Sequence, residues 1–254
     1  MEWNDTGIVL SARPHAETAA VAVLLTRDHG RHAGLVHGGQ GRQMRAVLEP
    51  GNQVEARWRG RMADQLGSLA LEPVRATGAG LLDDPLRLAA LASACALAEA
   101  ALPEREPHPA MFDATLALLD AFQSEVWAEV YVRWEVGLLG EIGFGLDLDR
   151  CAATGVNDQL AYVSPRTGRA VSLSAAEPFK EKLLPLPGFL IGRGGGGAEE
   201  VAAGLALTGH FLERHVFAQR HADVPAARAR FVDRYRKHHT ISGSLPADGT
   251  QQES

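Results

Sequence analysis

The chain has 254 residues, 46% of them hydrophobic and 6% aromatic, with a net charge of −6. This is ordinary globular composition with room for one large domain or two small ones. Met1 to Asp5 lack the basic stretch and apolar block of a signal peptide, and the longest uncharged apolar run, Leu88 to Ala98, falls short of the ~20 residues that span a bilayer. A soluble cytoplasmic protein is expected, and Cys95 and Cys151, too few for a disulfide framework, read as small buried groups.

Charge is segregated along the chain. Residues 1–80 carry 9 Lys/Arg against 8 Asp/Glu, residues 81–209 carry 9 against 18, and residues 210–254 carry 7 against 5. The bases cluster further: seven arginines against three acids in residues 27–61, and seven Lys/Arg against three acids in residues 210–239. Such clusters on an acidic protein point to a polyanion-binding surface; solvated surface arginine is the plain alternative.

The first 80 residues read as strands over Thr6–Arg13, Glu17–Thr26, Arg31–Val36, Asn52–Arg59 and Gly67–Val74, punctuated by Gly and Pro turns. Five short strands suit a small closed barrel of the OB type, and an SH3-like barrel fits the count nearly as well. In Asn52 to Arg61 the period-two alternation puts Val54, Ala56 and Trp58 on one face and Arg57, Arg59 and Arg61 on the other. Their guanidiniums would repeat every ~6.5–7 Å, comparable with the phosphates of an extended nucleic-acid strand. Arg42 and Arg45 follow the flexible Gly38-Gly39-Gln40-Gly41 loop and add a further pair.

From Asp84 the apolar period becomes helical. Pro85 to Leu102 is one helix, capped by Asp83 or Asp84 and stopped by Pro103, and Met111 to about Ile142 is one or two more. Within residues 147–174, Leu160–Val163 and a second short run are separated by a Pro-Arg-Thr-Gly turn, giving the outline of a zinc ribbon with one thiol, Cys151. A short helix over Ala175–Leu184, a long one over Glu199–Phe217 and a basic one from Pro225 to His238 complete the pattern. The expected organisation is thus α+β: a barrel over residues 1–80, an all-α domain over 81–241 with a ribbon-like insertion, and a disordered polar tail over 242–254. There is no internal repeat.

Catalytic motifs are weak. The glycines Gly192 and Gly194–Gly197 precede a helix but lack a following Lys-Ser/Thr, and Glu199 and Glu200 stand where a phosphate would sit, so the segment reads as a flexible joint. Asp147 and Asp149 lack a third carboxylate for a cation, His210 and His215 are off helical ligand spacing, and no nucleophile elbow or HExxH is present.

Taken together, "YVRWEVGLLGEIGFGLDLDRCAATG", "LAYVSPRTGRAVS" and the N-terminal "TGIVLSARPHAETAAVAVLLTRDHGRHAGLV" resemble the RecO family of bacterial recombination mediators over essentially the whole chain. The resemblance implies a non-enzymatic protein of the cytoplasm and nucleoid, without membrane or small-molecule substrate. It would bind single- and double-stranded DNA, anneal complementary strands, recognise the acidic C-terminal tail of the single-strand-binding protein SSB, and work with RecR to load RecA. Many members carry a four-cysteine zinc site here. Cys151 matches its first ligand and Gly155 its turn glycine, but Thr154 replaces the second cysteine and the Gly168–Val171 turn has none, so no zinc or other cofactor is expected. Of the family's longer basic loop, "VHGGQGRQMR" keeps Arg42 and Arg45. The DNA-facing set is then Arg42, Arg45, Arg57, Arg59 and Arg61, with a second surface on the last helix from Arg228, Arg230, Arg234, Arg236 and Lys237. Arg133 beside Trp134 is the expected site for the SSB tail, the alternative for Arg133 being an intrahelical pair with Glu129. Two rival readings are an interaction adaptor with incidental DNA contact and a metal-dependent nuclease built on Asp147 and Asp149.

Overall fold

The computed structural model describes residues 1–62 and 65–240, so the expected tail at 242–254 lies outside the described residues. Five strands, β1 (Glu2–His15), β2 (Ala19–Thr26), β3 (Gly30–Val36), β4 (Gln53–Arg59) and β5 (Ser68–Arg75), close into a barrel in the order β1-β2-β3-β5-β4. All pairings are antiparallel except β3–β5, which meet in parallel at Leu35 and Ser68. This is an OB-type barrel. Val9, Leu24, Val36, Val54, Ala56, Trp58, Leu69 and Leu71 fill its interior.

β1 explains why its sequence, Gly7-Ile8-Val9-Leu10, is continuously apolar where a half-exposed strand would alternate. Val9 points into the barrel, whereas Ile8 and Leu10 join the helical core, so both faces of the strand are buried. A register shift between Val9 and Ser11 accommodates the change of partner. At the β2–β3 turn Gly30 has φ +66°, and a Cβ there would meet the Glu106 carbonyl oxygen at 2.0 Å, so this turn is built to touch the helical part.

The helical part comprises α2 (Pro85–Ala101), α3 (Pro109–Ala121), α4 (Trp127–Glu141), α6 (Ala198–Phe211) and α7 (Ala226–His238), with α1 (Arg42–Val47) in the barrel and α5 (Leu173–Ala176) after the ribbon. Asp84 caps α2 by accepting from the amides of Leu86 and Arg87. The Met111–Ile142 periodicity resolves into two helices, α3 and α4, broken at Phe122–Val126. The ribbon is a three-stranded sheet, β6 (Leu160–Val163), β7 (Ala170–Ser172) and β8 (Leu184–Pro185), in the order β7-β6-β8. The short helix expected over Ala175–Leu184 is α5 continued by a 3-10 helix over Glu177–Lys182, and it stops where β8 begins at Leu184. Within the glycine run Gly196 packs against Phe189, where a Cβ would sit 2.6 Å from the ring, and Arg193 donates to the carbonyls of Asn157 and Leu160 at 3.0 and 3.5 Å, while Gly194, Gly195 and Gly197 are exposed.

Candidate nucleic-acid interface

The fold sorts the arginines of residues 27–61 into two groups. Arg27 pairs with Asp113, and Arg31 donates to the Leu102 carbonyl at 2.8 Å and to Glu104 at 3.3 Å. Further along, Arg75 pairs with Asp120. These three tie barrel to helices. Arg42, Arg45, Arg57, Arg59 and Arg61 are exposed, and none of the five bonds to the helical part among the described residues.

Arg57 and Arg59 stand on the outer face of β4, opposite Ala70 and Ser68 of β5 in register. Because those two neighbours are small, the surface beside the guanidiniums is concave. A depression of about 380 Å³ lies there, bounded by Arg57 and Arg59 on one side and by His37 and Met44 on the other, with Leu69 and Leu71 beneath. Met44 belongs to α1, which also carries Arg42 and Arg45. This helix was not foreseen. Gln40 fixes the preceding loop by donating to the carbonyls of Ala16 and Ala19 at 2.8 and 3.0 Å, and Asn52 holds the helix end through the Ala46 carbonyl at 2.7 Å. Through Met44, the helix that carries Arg42 and Arg45 borders the groove that Arg57 and Arg59 line. The positive stripe ends beyond Arg57, where exposed Glu55 faces Glu72 in register. Arg61 lies past the end of β4.

Glu2 lies on β1 ahead of the Thr6–Arg13 span that the sequence predicts for the first strand. The register places Glu2 opposite Arg59 and Asn4 opposite Arg57. Both arginines donate through Nε to the Glu2 carboxylate, Arg59 at 2.8 Å and Arg57 to the other oxygen. The Arg59 and Arg57 hydrogen bonds hold the Glu2 carboxyl below the usual range.

Comparison with known proteins decides the lineage. A family described as "Recombination protein O N terminal" matches residues 1–76 and one described as "Recombination protein O C terminal" matches residues 82–223. The chain is 76% identical to the DNA repair protein RecO of Rhodospirillum centenum, covering 97% of this chain and 100% of the relative. It is 52% identical to proteins of the same name in Rhodospirillum rubrum, over 93% and 97%, and in Caulobacter vibrioides, over 92% and 97%. The chain belongs to the RecO family.

For a RecO-family chain the zinc question turns on Cys151. The thiol is fully buried, donates to Ser172 Oγ at 3.4 Å and receives the Ser172 amide at 3.3 Å. Burial raises its pKa, but hydrogen bonds from Ser172 and Thr154 outweigh burial and lower it to about 6. A tetrahedral zinc site needs four S or N ligands, and among the described residues no three His, Cys, Asp or Glu side chains come together. The residues present do not fit zinc. Asp147 is engaged by Arg169 at 3.2 Å.

Two other expectations are corrected. Trp134 is 3% exposed and donates to Thr115 Oγ1 at 3.0 Å, so it is core and forms no pocket beside Arg133. Arg133 does not pair with Glu129; it donates to the Phe189 carbonyl and lies 5.7 Å over that ring. On α7, Arg228 is 6% exposed and buried against Glu135, which removes it from any surface set. Arg230 is exposed, Arg234 donates to the Pro85 carbonyl at 2.8 Å and Lys237 pairs with Asp233 at 2.7 Å, so the last two are partly committed. The sequence pattern cannot distinguish a buried from an exposed arginine on this helix, because the Glu135 partner comes from another element.

Proposed function

We propose that this chain is a DNA repair and recombination mediator that acts without catalysis. It binds single strands in the groove between α1 and the β4–β5 face, binds duplex DNA more generally, and anneals complementary strands. It then engages the SSB tail and RecR to assist RecA loading, in the cytoplasm at the nucleoid. The observation that carries the DNA reading is the groove lined by Arg57 and Arg59 and by Met44 of α1, the short helix that also carries exposed Arg42 and Arg45, while Arg27, Arg31 and Arg75 serve the interior contact. Phosphates neutralised by these arginines release counterions, and two strands held on one basic face repel each other less. Arg230, Arg234 and Lys237 form a second, weaker DNA surface, and Arg133 is the remaining cation for the tail. The ribbon folds without zinc, its thiol held by hydrogen bonds.

The adaptor alternative draws on a larger open groove of about 2120 Å³ between α6 and α7, whose lining includes Glu181, Glu199, Glu200, Glu213 and Asp223. These carboxylates repel DNA, and Arg236 in the same lining is a cation that an acidic peptide would meet there. Titrating labelled single strands and a labelled SSB-tail peptide separates the readings. A mediator binds both, whereas a chain that binds the peptide and not the DNA is an adaptor.

A further inference from the structure

Among the described residues, Glu2 is the one acidic side chain hydrogen-bonded to the groove's arginines. It is set there by the backbone, since the β1–β4 register carries Glu2 opposite Arg59 and brings Arg57 one pleat away on the same outer face. Each carboxylate oxygen serves a different guanidinium, and each arginine uses its Nε. An oxyanion binds arginine most strongly as a fork, through Nε and a neighbouring Nη or through the two Nη groups. With Nε committed, the side-on fork is closed at both arginines, and one of two positive charges is neutralised before any ligand arrives. The carboxylate therefore does to Arg57 and Arg59 what a bridging phosphate would do.

We propose that Glu2 is an internal phosphate mimic, an affinity-setting residue that a DNA phosphate must displace from Arg57 and Arg59 when a single strand enters the groove. This rests on the DNA-binding reading above and assigns Glu2 a role in regulating that site. The pair is solvent-accessible, with Arg57 51%, Arg59 60% and Glu2 38% exposed, so displacement is reversible and costs what an exposed ion pair costs. Its effect is to keep the groove from holding any passing polyanion while leaving it open to a strand that also engages Arg42 and Arg45. Glu55 and Glu72, on the same face, make no bond to either arginine among the described residues.

The test is fluorescence anisotropy of labelled oligothymidylate over a range of salt, using the full chain, Glu2→Gln, the Arg57→Ala/Arg59→Ala pair, and the three changes combined. Far-ultraviolet circular dichroism checks that each is folded. Glu2→Gln should bind about two- to tenfold tighter, the size expected on releasing two exposed ion pairs. The slope of log K against log salt should steepen by about 0.7 for each phosphate newly engaged. Adding Glu2→Gln to the arginine pair should gain nothing. If Glu2→Gln keeps wild-type affinity and slope while the arginine pair loses affinity, the role of Glu2 is overturned and DNA binding by the groove stands. If the arginine pair also leaves binding unchanged, both are overturned.

Discussion

His32 lies between two tryptophans, edge-on to Trp3 at 5.0 Å and to Trp58 at 5.2 Å, and is 4% exposed. Neither ring nitrogen has a hydrogen-bond partner among the described residues. Burial, followed by the nearby Arg105 and His29, pushes its pKa down from 6.5 to about 4. The unfolded chain takes up a proton near pH 6.5 that the folded chain refuses until about pH 4, so this residue's contribution to stability is lost as pH falls through that window. The loss is about 1.4 kcal/mol per pH unit across it. His32→Phe keeps an aromatic edge and removes the proton site, so its unfolding free energy should fall less than that of the wild type between pH 7 and pH 4.5. Denaturant melts at the two pH values decide it, and parallel losses would refute the assignment. The burial of His32 is not legible in the sequence, because Trp3 and Trp58 on other strands create it. Arg57 and Arg59 were legible as exposed, because period-two alternation is a local property.

At the scale of elements, α4 carries the segment Tyr131 to Glu135, part of the stretch on which the family resemblance rests, and the structure shows what these residues do together. Glu135 is fully buried and receives Arg228 of α7 in a fork at 2.7 and 2.9 Å, the Tyr131 hydroxyl at 3.1 Å and the Thr208 hydroxyl of α6. Tyr131 in turn meets Ser93 of α2 at 2.6 Å. One carboxylate thus links four helices. Removing one partner strands a buried charge, so Glu135→Leu or Arg228→Met should each destabilise by about 3–5 kcal/mol, and the double variant by much less than the sum. Additive losses in denaturant unfolding would contradict that coupling. The helices themselves were readable from apolar spacing, but the break between α3 and α4, α1, and the third ribbon strand β8 were not. Each is short and is fixed by contacts outside its own span, as Gln40 fixes α1. The ribbon's turns were readable from Gly155 and the Pro-Arg-Thr-Gly segment, whereas the Ser172 partner of Cys151 was not, because only β-pairing brings the two together. Metal-replete protein treated with chelator should retain no stoichiometric zinc and should melt unchanged. Chelator-resistant zinc at one per chain would overturn the metal-free ribbon.

Across the whole molecule, the uneven charge has two consequences. Part of the barrel's excess meets the acidic helical part directly, through Arg27–Asp113, Arg31–Glu104 and Arg75–Asp120. These pairs are mostly exposed and fix orientation more than they stabilise, while Ile8, Leu10 and Leu25 provide the shared apolar contact. Arg42, Arg45, Arg57, Arg59 and Arg61 face solvent, and Arg57 and Arg59 line the α1/β4–β5 groove. The barrel, its strand order aside, and the arginine clusters were visible in the chain. The split between arginines that tie barrel to helices and arginines that face solvent was not, because it depends on which side of the barrel the helices cover. The salt dependence of single-strand binding tests the solvent-facing set most directly. Replacing Arg57, Arg59 and Arg61 by Ala should weaken binding and reduce the slope of log K against log salt by about two, near 0.7 for each lost phosphate contact. Unchanged affinity and slope in the folded triple variant would contradict the placement of DNA on this face.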